Sequence, residues 1–167
     1  MTYKIGDKVV YPNHGVSVVE QIGEFNLNGT RNTFLHLRLL ANDSKLMVPI
    51  SNTDRIGLRR LYMQKQIKVL FGLLEETAQK GPSDWKDRYR ENLEKMKSGK
   101  LEDVALVLKN LNQISKRKSL SFREKKMYER AKYLLVSEIA IVRGITEPEA
   151  EAQIEKALNK SLVMLEH

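Results

Sequence analysis

The chain has 167 residues, 41% of them hydrophobic and 30% charged, with 29 Lys and Arg against 21 Asp and Glu, a net charge of +8 and a pI near 9.6. That apolar content supports one packed domain or two small ones and excludes compositional disorder. With no cysteine, disulfides, thiolate metal sites and a cysteine nucleophile are excluded, while the positive charge favours an anionic partner, a polyanion above all because clustered cations gain from counterion release. The opening residues Met1-Thr2-Tyr3-Lys4-Ile5-Gly6-Asp7 lack the apolar stretch of a signal peptide, and no run approaches a membrane span. A cytoplasmic protein without membrane association is expected.

From Lys4 to about Ile56 the pattern is one of short strands and tight turns. Val9-Val10-Tyr11 precedes the turn cluster Pro12-Asn13-His14-Gly15, and Val16 to Ile22 is rich in β-branched residues. Asn28-Gly29 is the dipeptide that best tolerates the positive φ angles of a type I′ turn, so Glu24-Phe25-Asn26-Leu27 and Arg31-Asn32-Thr33-Phe34 are expected to pair across it. Between Phe34 and Leu40, Leu35, Leu37 and Leu39 alternate with Phe34, His36 and Arg38, which gives one buried and one solvated face. The turn Asn42-Asp43-Ser44 leads to Lys45-Leu46-Met47-Val48-Pro49-Ile50, where proline suits an edge or a strand end. Together these strands predict a small curled sheet or barrel.

After Arg59-Arg60 the apolar spacing becomes helical, and the boundary between a β domain (residues 1–60) and a helical domain (residues 61–167) is placed there. Leu61, Ile67, Leu70, Phe71, Leu74 and Ala78 supply the core face of a first helix. A second follows the breaker pair Gly81-Pro82, with Ser83 or Asp84 as its cap, and stops at Ser98-Gly99; Tyr89, Leu93 and Met96 are its core candidates. A third runs from Leu101 to about Ser115, with Val104, Leu108 and Leu111 inward. Ser121-Phe122-Arg123-Glu124 matches a capping box and opens a fourth helix ended by Gly144, and Thr146-Glu147-Pro148-Glu149 opens a fifth. The fold class is therefore α+β, with about five helices after the sheet.

Trp85, the single tryptophan, falls in the first turn of the second helix among Asp84, Lys86, Asp87, Arg88 and Arg90. Arg88, Tyr89, Asn92 and Met96 lie near its azimuth, so one face mixes aromatic, guanidinium and amide groups. A lone tryptophan in a helical domain more often packs in the core. An exposed one beside cations stacks on a base or wedges between base pairs, but from the residues alone core packing is the favoured reading. Basic density peaks between Lys109 and Lys132, with nine Lys and Arg against two Glu, including the runs Lys116-Arg117-Lys118 and Arg123-Lys125-Lys126. Such runs serve solubility or sequence-independent attraction to phosphate.

Nothing in the sequence reads as catalytic. There is no phosphate-binding glycine loop with its lysine, no dinucleotide fingerprint and no paired-histidine zinc motif. His14, His36 and His167 are scattered, and acids such as Glu75-Glu76 and Glu102-Asp103 are adjacent in sequence and do not face one another on a helix. A non-enzymatic protein without a cofactor, metal or small-molecule substrate is expected.

The words Gly6-Asp7-Lys8-Val9-Val10-Tyr11-Pro12-Asn13-His14-Gly15-Val16, Met47-Val48-Pro49, Asp84-Trp85-Lys86, Asn92-Leu93-Glu94-Lys95 and Leu134-Leu135-Val136-Ser137-Glu138, in that order, resemble the CarD/CdnL family of bacterial RNA polymerase-binding transcription regulators. The N-terminal part is also similar to the polymerase-interacting domain of the transcription-repair coupling factor. The resemblance implies a Tudor- or SH3-like β domain on the polymerase β subunit and a helical domain on double-stranded promoter DNA, nucleoid-associated in the cytoplasm. It implies that Trp85 wedges into the minor groove at the upstream edge of the opened promoter and that Lys86, Arg88 and Arg90 grip the backbone, prolonging the open complex. Lys95, Lys116, Arg117, Lys118 and Lys125 extend the expected DNA surface. Some relatives carry arginine at the positions of Phe25 and Met47. Both are apolar here, so polymerase docking by Phe25, Leu46, Met47, Val48 and Pro49 is expected to rest on strand pairing and apolar packing. A basic RNA- or ribosome-associated module is the alternative, distinguished by preference for structured RNA over forked duplex DNA.

Overall fold

In the computed structural model, which describes residues 2–77 and 84–163, alternating side chains build a five-stranded antiparallel sheet: β1 (Lys8–Tyr11), β2 (Gly15–Leu27), β3 (Thr30–Leu39), β4 (Lys45–Pro49) and β5 (Arg59–Arg60), in the order β4-β3-β2-β1-β5. The segments expected on either side of Gly23 are one long strand, β2, and those meeting at Phe34 are one strand, β3. The hairpin between them turns on Asn28 and Gly29, whose φ angles of 52° and 80° are those the dipeptide was expected to adopt, with Leu27 opposite Thr30. Register slips between Val19 and Gln21, making Glu20 the extra residue of a bulge. A bulge reverses which face the following side chains take and adds twist, so the sheet curls. Val19 points inward before it, Ile22 packs inward after it, and Phe25 is left on the outer surface.

The core of this unit is Tyr3, Val9, Val19, Leu35, Leu37, Val48 and Leu58. Three of its elements were not anticipated. A 3-10 turn (Ile50–Asn52) runs into the one-turn helix α1 (Thr53–Ile56), which ends at Gly57 in the left-handed region at φ 85°. The chain then returns as β5, pairing Val9 with Arg60 and Val10 with Arg59. Two adjacent arginines carry no strand signal of their own. Arg60 is held because its guanidinium donates to the Thr2 carbonyl at 2.6 Å and pairs with Asp7 at 3.5 Å.

The contacts divide the chain into two compact units, Met1–Leu61 and Tyr62–His167. The second comprises α2 (Gln64–Glu75), α3 (Trp85–Lys97), α4 (Leu101–Ser115), α5 (Phe122–Arg143) and α6 (Glu147–Val163). The sequence places each of these, through apolar spacing for α2, α3 and α4 and through capping signals for α5 and α6. The core candidate Ala78, the breaker pair Gly81-Pro82 and the cap candidate Ser83 lie outside the described residues. In α2, Ile67, Leu70 and Leu74 are buried, and Val104, Leu108 and Leu111 of α4 meet them in one core. α5 is its centre: every residue from Leu134 to Ala140 is buried, and the helix packs on α4 and α6.

Buried polar groups in this core have partners, as desolvation requires. Glu138 of α5 accepts from the Tyr62 amide at 2.8 Å, and the Tyr62 hydroxyl bonds Glu102 and accepts from the Leu101 amide at the start of α4. Lys109 donates to the Leu73 carbonyl at 2.9 Å, satisfying an acceptor left over at the end of α2. Leu135 is fully buried, so Leu135→Ala is expected to remove about 2–5 kcal/mol of stability. In a urea titration this appears as a lower midpoint at unchanged slope.

Candidate functional site

The start of α3 is built from polar residues. Asp84 is its cap, its carboxylate accepting from the Lys86 amide at 3.2 Å, and Trp85 is the first helical residue. Asp84, Trp85, Lys86 and Asp87 are all exposed. Trp85 itself is 44% exposed, with the Lys86 ammonium 6.0 Å from its ring centroid. The stripe of Arg88, Asn92 and Met96 that continues from it is buried, leaving the tryptophan as the member of that azimuth open to solvent. Tyr89 and Leu93 pack half-buried on the core alongside Met96.

Arg88 departs from expectation. The resemblance implied a cation on the DNA backbone, but the side chain is 5% exposed and its guanidinium is already engaged with Glu124 of α5. Nε donates to Oε2 at 2.8 Å and Nη2 to Oε1 at 3.1 Å, a two-point fork. A group so placed cannot reach a phosphate without breaking a buried pair. Asn92 makes a second polar tie, its amide donating to Asn110 of α4 at 3.0 Å. The exposed cations of α3 are Lys86, Arg90 and Lys97; Arg90 lies 3.9 Å from Asp87 and Lys97 3.6 Å from Glu94 in loose surface pairs, while Lys95 is half-buried.

Across the Arg88–Glu124 pair stands the first turn of α5. Ser121 caps it by accepting from the Glu124 amide at 3.2 Å. Phe122 is 71% exposed, with the Lys126 ammonium 4.6 Å from its ring centroid, and the Arg123 guanidinium lies 6.0 Å from the ring of Tyr89 on α3. Two exposed aromatic rings, Trp85 and Phe122, thus sit two or three residues before the members of one ion pair, among Lys86, Arg123, Lys125 and Lys126. Phe122 was not singled out from the sequence, where it reads as the second residue of a capping box; the signal available was a large apolar side chain in a first turn otherwise followed by cations. Lys116, Arg117 and Lys118 are exposed beyond the end of α4, where their charge also complements the carbonyl end of the helix.

On the β unit, alternation divides the residues expected to dock on polymerase. Val48 is buried opposite Leu35, and Leu46 packs on the same core opposite Leu37, so neither lies on the outer face. Met47 is 51% exposed opposite His36, and Pro49 stands opposite Phe34. Phe25 reaches this surface from β2, its ring edge-on to Phe34 at 5.7 Å and tilted against His36 at 5.7 Å. The outer face is therefore Phe25, Phe34, His36, Met47 and Pro49. β4 has a sheet neighbour on one side only.

Among the described residues no group of three His, Asp or Glu side chains could hold a metal, and no helix is long and apolar enough to cross a membrane. The chain matches the family model described as CarD, C-terminal domain, over residues 69–155, and that described as CarD-like/TRCF RID domain over residues 3–62. It is similar to the putative transcription factor YdeB of Bacillus subtilis, 29% identical over 150 residues that cover 90% of this chain and 98% of that protein. Among solved structures it is similar to the 72-residue N-terminal domain of Myxococcus xanthus CarD, at 36% identity, 35% of this chain, 79% of that one and a TM-score of 0.32. It is also similar to CdnLNt from the same organism, at 40%, 36%, 84% and 0.32 respectively.

Burial alone would push the Glu124 carboxyl up, but the Arg88 guanidinium and the bonds to Ser121 outweigh it and hold the group below the usual glutamate range. A carboxyl whose folded value is depressed contributes stability that is complete above its unfolded value and is lost as pH falls through the folded one. Unfolding free energy is therefore expected to drop as pH falls below the ordinary glutamate range. Glu124→Gln should flatten that acid limb in chemical unfolding measured across pH.

Proposed function

The chain belongs to the CarD family, and from that membership we propose that it is a non-catalytic transcription regulator that binds the β subunit of RNA polymerase with its β unit and double-stranded promoter DNA with its helical unit. The observation that carries the DNA assignment is the exposed Trp85 ring at the capped start of α3, beside Lys86 and across one ion pair from Phe122 and the cations of α5. An apolar ring in a cationic setting suits a duplex partly opened at one edge. The cations draw in phosphate without regard to sequence, and the ring occupies a step that has lost its stacking. Intact duplex offers no such step. A protein that binds the distorted form better than the closed one lengthens the life of the distorted form by that difference in affinity, about tenfold for each 1.4 kcal/mol. No hydrolysis is involved.

For the polymerase, the outer face of Phe25, His36, Met47 and Pro49 supplies apolar contact, and the free edge of β4 supplies backbone donors and acceptors for an added strand. Contact of this kind is insensitive to salt, whereas the DNA contact falls steeply with it. The two attachments of one protein thus respond differently to ionic strength.

Trp85→Ala is expected to shorten open-complex lifetime by roughly 5- to 150-fold, from the ~1–3 kcal/mol of one aromatic–base contact, with polymerase binding unchanged. The check is promoter-complex decay after competitor challenge, and a folded variant with the wild-type lifetime would remove the wedge role. Met47→Glu places a charge in the apolar face and is expected to weaken polymerase binding by about tenfold or more, a penalty of about 1.4 kcal/mol or above. Its affinity for forked duplex DNA alone should match the wild type; unchanged capture of polymerase by a folded M47E protein means that docking uses another face.

A further inference from the structure

The two ends of α3 are held differently. Its last turns are seated by Leu93 and Met96 on the apolar core. In its first turn nothing is buried; Tyr89 packs half-buried on the core, and the first fully buried residues met from that end are Arg88 and Asn92. Both are polar, and each makes a directional tie, Arg88 to Glu124 and Asn92 to Asn110. Apolar contact tolerates rotation and sliding. A fork with both nitrogens within 3.1 Å of a carboxylate does not. We propose that Arg88 and Glu124 are positioning residues for Trp85, whose buried pair sets the direction in which the start of α3 presents the ring.

Several observations converge on the pair. Glu124 Oε1 also lies 3.2 Å from the Ser121 hydroxyl that caps α5, so the carboxylate is oriented from its own helix before it meets Arg88. Among the described residues, the groups that bond Glu124 are Arg88 facing it from α3 and Ser121 beneath it; Arg123, Lys125 and Lys126 of α5 are exposed. A buried ion pair contributes little net stability, because desolvating both charges offsets their attraction, and its attested use is to specify one arrangement over others. Lysine, a single point charge, cannot reproduce the fork. The inference rests on the reading of Trp85 as the DNA-contacting ring only for its functional consequence.

The single tryptophan makes the test direct, since tryptophan fluorescence of the full chain, excited at the red edge where its six tyrosines do not absorb, reports on residue 85 alone. In a Glu124→Gln variant with wild-type far-UV circular dichroism, Trp85 anisotropy is expected to fall and open-complex lifetime to drop to about that of Trp85→Ala. Arg88→Lys should show the same losses, and the reciprocal double variant Arg88→Glu with Glu124→Arg should recover both signals. A folded E124Q protein with unchanged anisotropy and lifetime overturns the proposal, as does a folded charge swap that restores neither. If the variants do not fold, acid titration of the wild type decides. Trp85 anisotropy falling before the helical signal supports positioning by the pair, and a change only together with global unfolding overturns it. Should Trp85→Ala leave the lifetime untouched, the wedge reading fails while the fluorescence outcome still judges the pair.

Discussion

The ion pair between Arg88 and Glu124 is the constraint on which the candidate DNA surface depends. It joins the second turn of one helix to the first turn of another across 36 residues of sequence, and both partners are buried. Taking two charges out of water costs several kcal/mol per ion unless every bonding direction is met. Here the fork of the guanidinium meets both carboxylate oxygens and Ser121 adds a third bond. Removing either partner strands the other. That asymmetry, more than the strength of the pair, is why the starts of α3 and α5 stay side by side with Trp85 and Phe122 turned to solvent.

The β unit solves a different problem with a different device. Its sheet must curl around a small core and still leave an apolar outer patch. The bulge at Glu20 does both, adding twist and switching the parity of β2 so that Phe25 joins Phe34 and His36 outside. Along β4 strict alternation places Val48 in the core and Met47 on the surface. The two units therefore offer opposite chemistries, an apolar sheet face in one and rings set among cations in the other.

Much of this was legible in the residues. Asn28-Gly29, Ser121 with Glu124, Asp84 and Gly144 each specify a turn or a cap through their own backbone preferences, and each occupies that place. Periodicity, joined by capping signals for α5 and α6, located all five helices of the second unit and the inward leucines of β3. It did not reveal β5, because Arg59 and Arg60 become a strand only when Val9 and Val10 are there to pair with them.

What the sequence by itself determined is local: where the chain turns, which segments coil, and that an aromatic ring begins a helix among charges. Propensity, capping and the period of apolar residues act over a few positions, so they can be read without a fold. Only the tertiary structure decided which charges are spent inside. Arg88 and Arg90 are indistinguishable as letters, yet one is buried against Glu124 and the other is left to solvent. Met47 and Val48 are both apolar, and strand register sends them to opposite faces. The reason is physical: a guanidinium is a phosphate ligand or a structural tie according to what lies within about 3 Å of it, and that distance is set by residues far away in the chain.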